Sequence, residues 1–260
     1  MRREKRLLST FFVAALMLGG WASAYAQKEI SIDTPLPTKE SFEKIFPGFE
    51  AKTGYKVMPK WGNGVGTKQD AEKGDPFDIF VVLPPYQQTL ASGALVKNTS
   101  TVICSFVLGI TVKKGATPPD ISSAASVKKA LLGAKSLVTV DPTMGSVGVA
   151  ANAMFMKLGI LDQVKSKVKY VPNGGGVGRS VVAGESEIGV GPYVSDLMGN
   201  QNPDLVVVGG LPRDASTPTD IVAFVATKAK DPAGAKQLVK YLATPEASQV
   251  YKEHGIMPRR

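Results

Sequence analysis

The stretch from Val138 to Leu158 constrains the fold of this chain more than any other. A β-branched run, Val138-Thr139-Val140, stops at Asp141-Pro142, a turn opener. Thr143, Gly145 and Ser146 follow in a small polar loop, and Val149 to Leu158 then carries apolar residues at helical spacing. Strand, loop and helix in that order make a βα unit. The start of its helix turns unpaired backbone N–H groups and hydroxyls toward one spot, which suits an anion or a carboxylate. Taken alone, the same loop also reads as an ordinary βα turn in which Ser146 caps the helix.

The pattern recurs on both sides of this unit. Residues 30–32, 55–60 and 78–83 read as strands. Residues 39–52 read as a helix, with Phe42, Ile45, Phe46 and Phe49 on one face, Pro47 as a possible kink and Gly54 as its stop. A polar helix runs to Lys73, and a short one covers 86–92. The alternation predicts an α/β protein with parallel sheets covered on both faces. A second set holds a helix at 126–132, strands at 137–140, 168–171, 187–190 and 205–208, and the helix after Ser146. Two apolar runs, 106–112 and 221–227, read as crossings between the halves, the second leading to a helix at 233–242. The expected organisation is one lobe from residues 27–109 plus 225–260, a second from 110–224, and a hinge at the crossings.

Residues 1–26 read as a secretory signal peptide. Arg2, Arg3, Lys5 and Arg6 precede an apolar run, and Ala22-Ser23-Ala24-Tyr25-Ala26 offers cleavage after Ala26, with Ala24 as the alternative, which predicts a periplasmic protein. The net charge of +9 is spread as single lysines without interleaved aromatics, so nucleic acid is not an expected partner. Cys104 is the one cysteine; its apolar neighbours predict a buried, inert thiol and exclude an internal disulfide. His254 is the one histidine and falls near the C-terminus. No G-x-S-x-G elbow, acid–base pair or metal-ligand spacing is present, so neither an enzyme nor a cofactor or metal is expected.

Five predicted strands end in loops of one chemical type: Asp33-Thr34-Pro35, residues 62–67, 142–148 and 172–178, and Gly191-Pro192-Tyr193. Open parallel sheets bind ligands beyond the carboxyl ends of their strands, so these loops are expected to meet in one cleft between lobes. The candidate side-chain contacts are Thr34, Asn63, Thr143, Ser146, Asn173 and Tyr193, with backbone N–H groups from Gly64, Gly145 and Gly174. The run Gly174 to Gly178 is glycine-rich like a phosphate loop, but Arg179-Ser180 follows where a P-loop has its Lys and Ser or Thr.

The order of these segments resembles the periplasmic solute-binding proteins of ABC importers, in particular the molybdate-binding-like group. Phe49 to Val57 is similar to its F-E-x-x-T-G-x-x-V, and Gly74 to Phe80 to its G-x-P-x-D-[IV]-F. Asp141-Pro142 with Gly145, and the helix to Leu158-Gly159-Ile160, resemble D-P-x-x-x-x-G…L-G-[IL]. Val182 to Gly189, Tyr193 to Asp196, and Tyr241 to Ala247 match V-x-x-G-E-A-[DE]-I-G, Y-x-S-D and F-L-x-S-P-E-A. The resemblance implies a two-lobed type II periplasmic-binding-protein architecture with a two-strand hinge. It also implies a monomer that closes on a small anionic ligand and delivers it to a membrane permease. The same fold also serves as a sensor subunit for a membrane signalling receptor. Molybdate binders carry serines in the first two loops, where this chain has Thr34-Pro35-Leu36 and Asn63-Gly64-Val65, and Tyr193 falls one residue later than their tyrosine. These departures rank small organic carboxylates above molybdate, tungstate or another oxyanion.

Overall fold

A computed structural model describes residues 28–193 and 202–258. The expected signal peptide, and the Val194 to Asp196 part of the Y-x-S-D match, lie outside those residues.

The first sheet begins with three β-strand–helix units: β1 (Glu29–Pro35) and α1 (Lys39–Thr53), β2 (Lys56–Gly62) and α2 (Gly64–Lys73), β3 (Ile79–Val82) and the short α3 (Gln87–Ala91). β1 pairs parallel with β2 on one side and β3 on the other. The long strand β4 (Thr101–Lys113) then leads into the second half of the protein. There α4 (Ala124–Gly133), β5 (Leu137–Val140), α5 (Ser146–Lys157), α6 (Leu161–Val164), β6 (Val168–Val171), α7 (Gly174–Val182), β7 (Ile188–Tyr193) and β8 (Leu205–Gly210) follow. β5 pairs parallel with both β6 and β7. The chain returns through β9 (Thr219–Val225) and ends in α8 (Pro232–Tyr241), α9 (Pro245–Glu253) and β10 (Met257–Pro258).

Each lobe therefore has a parallel trio, but neither sheet is parallel throughout. β9 lies antiparallel to β3 and to the first half of β4, while the second half of β4 lies antiparallel to β7 and β8. An antiparallel neighbour needs no crossover helix, and that suits strands that pass directly between lobes. Thr101 to Phe106 of β4 pairs with β9, and from Val107 onward β4 pairs with the second sheet. All of β9, from Thr219, pairs within the first sheet.

The aromatic face read from residues 39–52 anchors the first lobe. Phe42, Ile45, Phe46 and Phe49 are buried on α1, which runs unbroken through Pro47 and stops at Gly54 in the left-handed conformation. The Phe42 ring packs at a tilt against Phe46, at 5.2 Å between centroids, and against Tyr251 of α9, at 6.4 Å, so the last helix is fastened to the first. Cys104 is fully buried on β4, and burial holds its thiol far above the ordinary range, as its apolar context predicts. His254 follows α9 and meets Glu40 of α1 at 3.1 Å.

The glycine-rich run at 174–178 differs from its loop expectation: it is the first turn of α7. Asn173 caps that helix, its side chain accepting from the Gly176 N–H at 3.1 Å. Packing there is tight enough to favour glycine. A Cβ on Gly176 would stand 3.0 Å from Val171, and one on Gly178 would stand 3.3 Å from Leu205.

Candidate ligand cleft

The carboxyl ends of β1, β2, β3, β5, β6 and β7 open onto one cleft of about 360 Å³ between the sheets. One wall comes from Leu36, Asn63, Gly64 and Leu83, and the other from Gly145, Ser146, Val147, Asn173 and Gly174, with Phe106 at the strand where the sheets join. Three helices begin at this cleft: α2 at Gly64, α5 at Ser146 and α7 at Gly174.

Helix starts carry N–H groups without intrahelical partners. In α2 the Asn63 carboxamide oxygen takes up two of them, from Val65 at 3.0 Å and Gly66 at 2.7 Å. The Gly64 N–H is left over. In α7 Asn173 takes up that of Gly176, leaving Gly174 and Gly175. α5 has Gly145 at its cap position and no side-chain cap at all, so Ser146 and Val147 both keep free N–H groups. Ser146 thus sits at the first position inside the helix and is not its cap. Its Oγ is buried and makes no hydrogen bond among the described residues. It faces the opposite wall, 3.7 Å from where a Cβ on Gly64 would stand. Five amide N–H groups and one hydroxyl from three helix starts therefore border one space. Among the described residues, no Asp, Glu, Lys, Arg or His lines it.

Six of the nine candidate residues line this cleft: Asn63, Gly64, Gly145, Ser146, Asn173 and Gly174. Thr34 does not. It is fully buried beneath the Pro35-Leu36-Pro37 turn and bonds Thr38 Oγ1 at 2.8 Å, and Thr38 in turn donates to the Pro35 carbonyl. Thr143 turns away onto Asp141 Oδ1, donating from N at 2.8 Å and from Oγ1 at 2.6 Å, and these two bonds hold the Asp141 carboxyl below its usual range. Thr143 borders an adjoining cavity instead. Tyr193 is also outside. Its side chain lies against Gly109 and Gly210, each of which would place a Cβ 3.0 Å from it, while Pro192 faces the cleft. Side chains alternate along a strand, so the one-residue offset of Tyr193 moves it to the opposite face of β7.

The apolar lining, Leu36, Leu83, Phe106, Met144 and Val147 with four prolines, was not anticipated. Leu83 was read as the last residue of a strand and Phe106 as the start of a crossing between the halves, neither as a cleft residue. The strand-end place of Leu83 was the available signal, whereas Phe106 lies in the middle of β4.

Asp33 stands behind the first wall. It is fully buried, accepts from Thr67 Oγ1 of α2 at 2.8 Å, and lies 3.4 Å from Lys60 Nζ. Burial raises its pKa to about 6 against the opposing effects of Thr67 and Lys60, with Asp70 adding to the rise.

Two α/β lobes, joined by shared strands and opening helix N-termini onto a common cleft, define a binding protein of the type II periplasmic class. The chain belongs to the family described as bacterial extracellular solute-binding protein, whose model matches residues 32–257. It is 28% identical over 250 residues to the molybdate-binding protein ModA of Azotobacter vinelandii, covering 94% of this chain and 95% of that protein. It is 24% identical over 224 residues to an aconitate isomerase of a Pseudomonas species, covering 84% of this chain and 83% of that protein. Among solved structures, the periplasmic molybdate-binding protein of Azotobacter vinelandii superposes with a TM-score of 0.69 at 17% identity, covering 89% of this chain and all of that one (100%). No helix among the described residues is long and apolar enough to cross a membrane.

Proposed function

We propose that this solute-binding protein captures a small organic carboxylate between its lobes and delivers it to the permease of an ABC importer. The lobes are taken as residues 28–106 with 219–258, and 107–218, the limits suggested by strand pairing on β4 and β9. These differ from the limits expected at 109/110 and 224/225, because periodicity marks an apolar strand without saying which neighbour it joins.

The observation that carries the proposal is the set of neutral donors at one cleft: the Ser146 hydroxyl without a partner and the free N–H groups of three helix starts. Converging dipoles hold an anion without a counter-charge. A carboxylate is preferred over a tetrahedral oxyanion for two reasons. The cleft of about 360 Å³ is several times the space of a five-atom oxyanion, on the order of two to three waters or roughly 60–90 Å³. Leu36, Leu83, Phe106 and Val147 also offer contact to a carbon skeleton, which an oxyanion lacks. The relative named aconitate isomerase acts on an organic carboxylate, which fits. The ModA relative favours molybdate as the second reading.

Capture rather than turnover is favoured by the lining, which among the described residues holds no side chain able to shuttle a proton. A thermal-shift and calorimetric panel of molybdate, tungstate, sulfate, phosphate and mono-, di- and tricarboxylates tests the ligand class. Carboxylates are expected to stabilise the protein and molybdate is not; tight binding of molybdate with no response to any carboxylate overturns the proposal. Incubation with cis-aconitate, followed by proton NMR, is expected to leave it unchanged.

A further inference from the structure

The cleft does not end at Ser146. A second cavity of about 520 Å³ adjoins it and shares Gly145 and Ser146 as lining. Its chemistry is different. Where the first space is bordered by neutral donors and hydrocarbon, this one is bordered by Lys68, Gln69 and Glu72 of α2, by Gln87 and Gln88 of α3, and by the 142–143 turn. Lys68 lies four residues after Gly64, so both sit on one face of α2, one turn apart. The free N–H of the helix start and the ammonium above it thus address adjoining spaces.

We propose that the ligand carries at least two anionic groups, one carboxylate held by the helix N-termini around Ser146 and a second held by the Lys68 ammonium in the adjoining cavity. The inference rests on the carboxylate reading of the first cleft and names the subclass: di- and tricarboxylates over monocarboxylates.

Three observations support it. Lys68 Nζ makes a single hydrogen bond, to the Pro85 carbonyl at 2.8 Å, and forms no ion pair among the described residues. An ammonium has three donors, so two remain for a ligand. The nearest acid on its own helix, Glu72, accepts from Thr89 Oγ1 at 2.7 Å. Partial burial pushes the Lys68 pKa down, against a smaller opposing effect of Glu72; a bound carboxylate would reverse that. The geometry also gives the two subsites separate roles. The neutral cradle accepts one carboxylate of any small ligand, whereas the second subsite adds affinity only for a ligand long enough to reach past Ser146.

The test uses the signal-free chain and calorimetry with butyrate, succinate and propane-1,2,3-tricarboxylate. Wild type is expected to prefer the di- and tricarboxylate over butyrate by about tenfold or more, the effect of one charge-assisted hydrogen bond. Lys68→Gln is expected to erase that preference with butyrate affinity unchanged, and Lys68→Arg to retain much of it. A melting curve of Lys68→Gln matching wild type excludes misfolding, and Lys68→Met serves as a second variant if it does not match. Equal binding of butyrate and succinate by wild type, or an undiminished preference in Lys68→Gln, overturns the second subsite while leaving the first intact. Failure of all three carboxylates to bind overturns the carboxylate reading itself, and this inference with it.

Discussion

Ser146 is the residue on which most depends. Its hydroxyl is buried without a partner, a condition that costs a fold roughly 1–3 kcal/mol and that a ligand would relieve. Ser146→Ala is therefore expected to leave the ligand-free melting temperature unchanged or slightly higher while lowering carboxylate affinity about tenfold or more. If it lowers stability by the ~1 kcal/mol of a lost cap and leaves affinity alone, the hydroxyl serves only the helix. Asp33 supplies a pH signature. Its carboxyl titrates near 6 when folded and near 3.8 ordinarily, so between those values the folded state holds the extra proton. Stability from this group is therefore present at low pH and is lost as pH rises through about 6. Asp33→Asn keeps an acceptor for Thr67 and removes the charge. The difference between wild-type and variant denaturation midpoints is expected to favour the variant progressively from pH 4 to pH 6 and then to level off. A flat difference would mean that Lys60 fully neutralises the carboxylate. Six of the nine candidate residues reach the cleft because each belongs to a strand–loop–helix junction, a pattern legible in sequence. Thr34, Thr143 and Tyr193 lie outside it, because a hydroxyl's partner and a strand's facing are properties of neighbours that periodicity does not reveal.

At the scale of elements, the helix starts are shaped by glycine. A Cβ on Gly148 would stand 2.2 Å from the Val140 carbonyl oxygen, so α5 can approach the end of β5 only with glycine at that position. Gly148→Ala is expected to cost more than about 3 kcal/mol in chemical denaturation, since the clash is with backbone and cannot be relieved by a rotamer. Gly64→Ala acts differently. Its Cβ would enter the gap between Leu83, at 3.0 Å, and Ser146 Oγ, at 3.7 Å. The expected result is a loss of ligand affinity out of proportion to the loss of stability, read by calorimetry beside a melting curve. The helical nature of the 174–178 run was hidden from sequence, since five residues with four glycines carry no helix propensity. Asn173 and the packing of Gly176 on Val171 override propensity there.

For the whole molecule, β4 and the chain returning to β9 are the covalent links between sheets, and the cleft lies across them. Donors on the two walls can satisfy one ligand together only if the walls approach, so binding should favour a closed arrangement. Small-angle scattering at saturating ligand is expected to show a smaller radius of gyration than without ligand. An unchanged radius would point to a site already complete without motion.

What the sequence determined by itself was local: the βα units, the aromatic face of α1, the polar loops at strand ends and the family motifs that order them. Those features rest on periodicity and turn chemistry within a few residues of one another, so they can be read along the chain. The tertiary structure alone decided which strands are antiparallel, which face Tyr193 takes, that Ser146 lacks a partner, and that Lys68 borders the same cleft system as Gly145. Each of these depends on contacts between residues tens of positions apart. Strand pairing and burial decide such contacts, and neither is written in any single segment.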